Sequence, residues 1–119
     1  MSQAHELHRK AISLLDEAII AGMRGDNETA SHLKQEAFTY EKEAAELLAN
    51  RLDLEPTRSI LYKGAAVLAF ECGFQKEAEH LALSGLQGNP SPAVAEQLQS
   101  VLAKVTLYPL KPAASLRTA

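Results

Sequence analysis

The sequence predicts an all-α domain of antiparallel helix hairpins, about five helices in all, and three observations carry that prediction. Helix breakers are scarce, with 6 Gly and 5 Pro in 119 residues. Ala, Leu and Glu dominate, which is the composition of good helix formers, while the β-branched residues are few and scattered. Between the breakers, apolar residues recur at the three- and four-residue spacing of a buried helix face.

A chain of this length has room for one core but not two, so a single domain is expected. The formal net charge is -3, from 12 Lys+Arg against 15 Asp+Glu, and the two signs alternate along the chain. Nucleic acid and anionic membranes call for a basic stripe that displaces counterions, and the sequence carries none. No apolar run approaches the ~20 residues of a membrane span. The polar segment Met1 to Lys10 has no apolar signal core, and the one cysteine, Cys72, has no internal partner. These features predict a cytoplasmic protein without nucleic-acid or membrane partners.

The first helix is expected over Ala4 to Met23, with Leu7, Ala11, Leu14, Leu15, Ala18 and Ile19 along its apolar stripe. Arg24-Gly25-Asp26-Asn27 then supplies a left-handed stop and a capping Asp or Asn. The second helix carries Ala30, Leu33, Ala37, Tyr40, Ala44, Leu47 and Leu48 and is expected to run to about Leu52. Glu55-Pro56-Thr57 breaks the chain, because the residue before proline is driven out of helical geometry while proline suits a helix's first turn. The third helix, Thr57 to Glu71, is apolar or small around nearly its whole circumference between Ser59 and Phe70, with Lys63 as the only charge, which predicts a central position. Gly64, Ala65, Ala66 and Ala69 leave room for a close neighbour. Gly73 ends that helix, and Gln75 to Leu86 forms the fourth. After the breaker cluster Gly88-Asn89-Pro90-Ser91-Pro92, a fifth helix runs from Pro92 to about Val105, with Val94, Leu98, Val101, Leu102 and Val105 on one side. Thr106 to Ala119 holds Pro109 and Pro112 without helical period and reads as an extended tail. The domain therefore spans 1–105, as a long hairpin (2–52), a second hairpin (56–88) and a closing helix (92–105), followed by the tail 106–119.

The segments Leu52-Asp53-Leu54-Glu55-Pro56 and Leu86-Gln87-Gly88-Asn89-Pro90 place their prolines 34 residues apart, the period of the tetratricopeptide repeat. The second unit resembles that family further in Tyr62 early on its first helix, small Ala65, Ala66 and Ala69 at the helix-pair contact, Gly73 at the turn, Lys76-Glu77-Ala78 opening the second helix, then Gly85-Leu86 and Pro90. Ala69 stands where the family has a large aromatic. The first unit matches loosely, through Gly25-Asp26, Ala30 and the Leu-Asp-Leu-Glu-Pro ending. Its turn lies 48 residues before that of the second, so each helix of the first hairpin is expected to be longer by about four turns and to project. The resemblance implies a right-handed array of hairpins closed by a capping helix. It also implies a scaffold that presents a concave face, lined by the first helix of each pair, to a protein or peptide partner. At the groove-lining positions stand Ile60, Lys63, Val67 and Phe70. They make either an apolar peptide groove with one cation or a face covered by the first helix or the tail. Family members that grip a terminal carboxylate use several Lys, Arg and Asn residues in the groove; with Lys63 alone, and Gly64 and Val67 in place of polar groups, that specificity is not expected.

Other chemistry is thin. His5 and His8 lie three apart near Glu6, but two ligands on a first turn fall short of the four that structural zinc needs, so no metal or cofactor is expected. His32 between Glu28 and Glu36, and His80 after Glu77, read as surface pairs. Cys72 has no nearby His and reads as an inert, buried thiol. Asp16 and Glu17, or Glu41, Glu43 and Glu46, read as solvated faces rather than acid–base pairs, so no enzyme is expected. Small all-α ribonucleases of toxin systems place a His four residues after an Arg, and none of Arg9, Arg24, Arg51 or Arg58 has a His in the next six. Tyr108-Pro109-Leu110-Lys111-Pro112 has the proline spacing of a polyproline II ligand, and Leu107, Tyr108 and Leu110 could instead fill the chain's own or a neighbour's groove. The reading that results is a non-catalytic interaction module holding a protein or peptide against the third helix. The alternative is a structural homodimer formed through the long first hairpin or the tail, with Leu7, Phe38, Tyr40 and Leu48 as its apolar contacts.

Overall fold

Ser2 opens the first helix by accepting the His5 N–H on its hydroxyl oxygen at 3.1 Å, and the computed structural model describes the chain from there to residue 107. Five helices follow: α1 (Gln3–Met23), α2 (Asn27–Leu47), α3 (Thr57–Glu71), α4 (Gln75–Leu86) and α5 (Pro92–Leu107). Among the described residues there is no strand. The fold is an all-α array of two antiparallel hairpins, α1–α2 and α3–α4, with α5 packed against α3 and α4.

One device closes both hairpins. Gly25 and Gly73 sit at φ 82° and 84°, a left-handed conformation that glycine enters without a Cβ penalty. The next residue then reaches back over the helix end, Asp26 N–H to the Ala21 carbonyl at 2.9 Å and Phe74 N–H to the Ala69 carbonyl at 2.8 Å, satisfying carbonyls that the ending helix leaves free. Asp26 also caps α2 by accepting the Thr29 N–H at 3.2 Å.

The boundaries of α3 and α4 fall where Pro56, Gly73 and Gly88-Asn89-Pro90 put them. Three other expectations are corrected. The second helix ends at Leu47, five residues early, and a short 3₁₀ turn, Leu52–Leu54, replaces its last turn. Here Arg51 and Asp53 close on each other through two hydrogen bonds of 3.0 and 2.8 Å, and the Ala49 carbonyl is taken by Arg58 Nε at 2.8 Å. The fifth helix continues through Thr106 to Leu107, so these two residues belong to α5 and not to an extended tail. The rest of the tail, with its proline pattern, lies outside the described residues. The first hairpin is longer, 21 residues in each helix against 15 and 12, which amounts to about two turns per helix rather than four.

Alanine sets the spacing of the first hairpin. Ala4, Ala11 and Ala18 recur every seventh residue on α1 and Ala37 and Ala44 do so on α2, all buried, so the two backbones can approach closely along a heptad seam. Helix α3 is central as expected, with α2, α4 and α5 around it. Its buried Leu61, Tyr62, Ala65, Ala66, Leu68 and Ala69 join Leu81 of α4 and Leu98 of α5 in the core. Gly85 lets α4 close on both neighbours, since a Cβ there would lie 3.0 Å from side-chain atoms of Tyr62 and Leu98.

A buried polar knot ties α2, α3 and α4 together. Arg58, 5% exposed, donates to the Ala49 carbonyl at the end of α2 and to the Ser84 carbonyl of α4, 2.8 and 2.9 Å away, and lies over the Tyr62 ring. Glu55 beside it accepts the Ser59 N–H, the Ser59 hydroxyl and the Asn89 N–H at 2.8–2.9 Å. Burial alone would raise the Glu55 carboxyl, but these donors and the Arg58 charge outweigh it and hold the group below its ordinary value. Glu55 and Asn89 stand 34 residues apart, so the sequence spacing of the two proline-terminated segments becomes a contact between their ends.

Candidate interaction groove

Helix α1 packs on α2 and α3 packs on the same α2, so the two flank it and leave a channel between them. The channel has a volume of about 750 Å³. Its walls are Ile12, Leu15 and Ile19 of α1 and Ile60 and Val67 of α3; Glu41, Lys34, Ser31 and Ala30 of α2 lie along its floor. Each wall stripe follows helical spacing: 12, 15, 19 on one side and 60, 63, 67 on the other.

The chain has four isoleucines, and none is buried: Ile12, Ile19, Ile20 and Ile60 are 44%, 60%, 48% and 41% exposed. Three of the four line this channel. Isolated exposed aliphatics need no explanation, but β-branched side chains facing each other across a concavity do.

Of the residues singled out on α3, Ile60, Lys63 and Val67 line the channel, whereas Phe70 does not: it is half-buried against the core. Neither α1 nor the described part of the chain covers Ile60. The residues named for dimer formation are engaged inside the chain, Phe38 and Leu48 buried and Leu7 and Tyr40 packed against the core.

At one end of the floor stands a buried acid. The Glu41 side chain is 5% exposed and holds His8 Nδ1 at 2.8 and 3.1 Å from its two oxygens. It presses on α3 where Gly64 has no side chain; a Cβ there would lie 2.5 Å from Glu41 Oε2. Burial raises the carboxyl above its ordinary value, and the His8 hydrogen bond and the His8 and Lys63 charges offset only part of that rise. This corrects two expectations. Glu41 does not belong to a solvated face, and His8 is not a free first-turn imidazole. The pairing was present in the numbering, because residues 8 and 41 stand symmetrically about the turn at Arg24-Gly25, and a residue lacking a Cβ stands on α3 to receive the acid. His5, His32 and His80 are exposed, and among the described residues no three metal-ligating side chains gather to hold an ion.

At the other end, Lys34 and Glu71 pair across the channel at 3.5 Å. Cys72 lines this end too, half-buried, its thiol raised mainly by burial. Lys63, between the two ends, has no carboxylate within 4.0 Å among the described residues. The channel thus has aliphatic walls, an acid held by a basic side chain at each end and one ammonium group in between.

No family model matches the chain, and comparison with curated proteins and with solved structures gives no significant match. No helix among the described residues is long and apolar enough to cross a membrane.

Proposed function

We propose that this chain is a non-catalytic protein- or peptide-binding module of tetratricopeptide-like type, and that the channel between α1 and α3 is its binding surface. The observation that carries this reading is the open channel of about 750 Å³ walled by half-exposed Ile12, Ile19 and Ile60. An aliphatic concavity of this size is the form that partner recognition takes on helical scaffolds. Support for the tetratricopeptide likeness comes from the repeated glycine turn, the small residues buried between α3 and α4, and the contact between the two proline-terminated segments through Glu55 and Asn89. The His8–Glu41 pair serves as the joint that holds α1 on α2 beside α3, with the two groups occupied by each other. A cytoplasmic setting suits the single free thiol.

The test is a photo-crosslinking residue at position 60, compared with one at Glu96 on α5, in the cell that makes the protein. The reading expects a discrete adduct with a second polypeptide from position 60 and none from position 96. An adduct of twice the chain's own mass would replace it with the homodimer, and equal adducts from both positions would remove the groove from consideration.

A further inference from the structure

We infer that the partner enters this channel as an amphipathic α-helix of about three to four turns carrying a carboxylate that pairs with Lys63. The inference rests on the binding reading above and specifies the chemistry of the occupant.

Backbone hydrogen bonding favours a helical occupant. The two walls and the floor, α1 from His8 to Gly22, α3 from Ile60 to Glu71 and α2 from Asn27 to Glu41, are continuous helix, so away from the helix ends their N–H and C=O groups are already paired along the channel. No strand edge is offered. An extended segment seated between Ile12, Leu15, Ile19, Ile60 and Val67 would bury N–H and C=O groups with nothing to receive them, at a cost of roughly 1–3 kcal/mol for each. A helix satisfies its own backbone and brings only side chains to the walls.

The channel's length suits a short helix. The lining residues span 15 positions on α1 and 12 on α3, roughly 16–21 Å of helix axis, which an incoming helix of about 12–15 residues would match. Its apolar residues at i, i+3, i+4 and i+7 would fall between the two isoleucine stripes.

Charge complementarity points to a carboxylate on the occupant. Glu41 is held by His8 and Glu71 by Lys34, so both acids of the channel already have a base. Lys63 makes no ion pair within 4.0 Å among the described residues, its charge reaching Glu41 only from farther off, and it lies between two aliphatic neighbours on its own helix. A partner carboxylate at that point gains an ion pair, while a partner cation there meets an ammonium group in a partly desolvated site.

The experiment is selection of random 14-residue peptides on the full 119-residue chain, in parallel with its Lys63→Glu and Ile12→Glu variants. Expected are winners without internal proline, apolar at helical period, carrying Asp or Glu, that become helical on binding by circular dichroism. Lys63→Glu should weaken them about tenfold and shift selection towards Lys or Arg, the size of one partly buried ion pair. Ile12→Glu should abolish capture. Winners that alternate apolar and polar residues or contain proline, yet are lost with Ile12→Glu, would overturn the helical occupant and leave the groove reading standing. Winners indifferent to Lys63→Glu would overturn the carboxylate. No enrichment, or enrichment indifferent to Ile12→Glu, would remove both the inference and the reading beneath it.

Discussion

Replacing Gly64 by alanine tests how the channel floor is built. In a helix interior alanine is favoured over glycine by roughly 1 kcal/mol, so an unobstructed site would be stabilised by that amount. Here the added Cβ would sit 2.5 Å from Glu41 Oε2 and 3.4 Å from its Cδ, and ordinary van der Waals contact requires the carboxylate to retreat by about 1 Å. It cannot retreat freely, because the same oxygens lie 2.8 and 3.1 Å from His8 Nδ1 and a hydrogen bond to a charged group contributes about 1.5–3 kcal/mol. The hydrogen-bond loss exceeds the propensity gain, and Gly64→Ala should destabilise the parent by about 1 kcal/mol. In a Glu41→Ala background the obstruction is gone and the same change should stabilise by roughly 1 kcal/mol, giving a coupling of about 2 kcal/mol between the sites. Urea unfolding of the four proteins, with slopes that agree, measures this directly. If Gly64→Ala stabilises the parent as much as it does the Glu41→Ala background, the carboxylate is not lodged against α3 and the described floor is wrong.

Other expectations follow from the same geometry. Arg58→Ala should cost about 3–5 kcal/mol in urea unfolding, because it strips a cation from buried Glu55 and donors from two carbonyls. Arg58→Lys should recover little of it, since an ammonium group cannot reach Ala49, Ser84 and Glu55 in one fork. The two buried glutamates should show opposite pH signatures. Glu55, lowered in the folded chain, adds stability above its unfolded pKa near 4.5 that is lost as pH falls through the folded value, so Glu55→Gln is destabilising at pH 7 and less so in acid. Glu41, raised in the folded chain, lowers stability as pH climbs from about 4.5 through its folded value, so the stability of Glu41→Gln relative to the parent should rise from acid to pH 7, the opposite slope to Glu55→Gln. Thermal unfolding across pH 3–8 reads both signs. Gly85→Ala, with Tyr62 and Leu98 atoms 3.0 Å from the new Cβ, should destabilise by roughly 1–3 kcal/mol. Gly22→Ala, with nothing within 4 Å, should stabilise by up to about 1 kcal/mol.

Local backbone chemistry was the legible part of this chain. Pro56, Gly73 and the Gly88-to-Pro92 cluster act within a residue or two of where they stand, and the bounds of α3 and α4 follow from them. The end of α2 was not legible, because Leu52 and Leu54 continue an apolar pattern while the chain is turned by Arg51–Asp53 and by Arg58, which takes the Ala49 carbonyl from the next helix. Burial of acids was hidden for a similar reason. Glu41 sits among Glu43 and Glu46 and looks solvated by its neighbours in sequence, yet its environment is set by His8 and Gly64 on two other helices. Ile60, Lys63 and Val67 could be assigned to one face from spacing, but whether that face was open depended on how α1 rests against α2. Ile12 and Ile19, which complete the channel from the other side, look like ordinary members of an amphipathic stripe until the packing of α1 is known.

The central claim is that the channel stands open in the free chain, and its four isoleucines make that measurable. The full chain, labelled only at isoleucine δ1 methyls, gives four signals in a proton–carbon spectrum, and a soluble nitroxide broadens those that solvent reaches. With Ile20 as a reference outside the channel, the structure predicts that Ile12, Ile19 and Ile60 broaden to a comparable degree at every protein concentration. Protection of those three while Ile20 broadens would mean that the channel is already filled, by the chain's own remaining residues if the protection is independent of concentration and by a second copy if it grows with concentration. Either form of protection would contradict a groove waiting for a foreign helix.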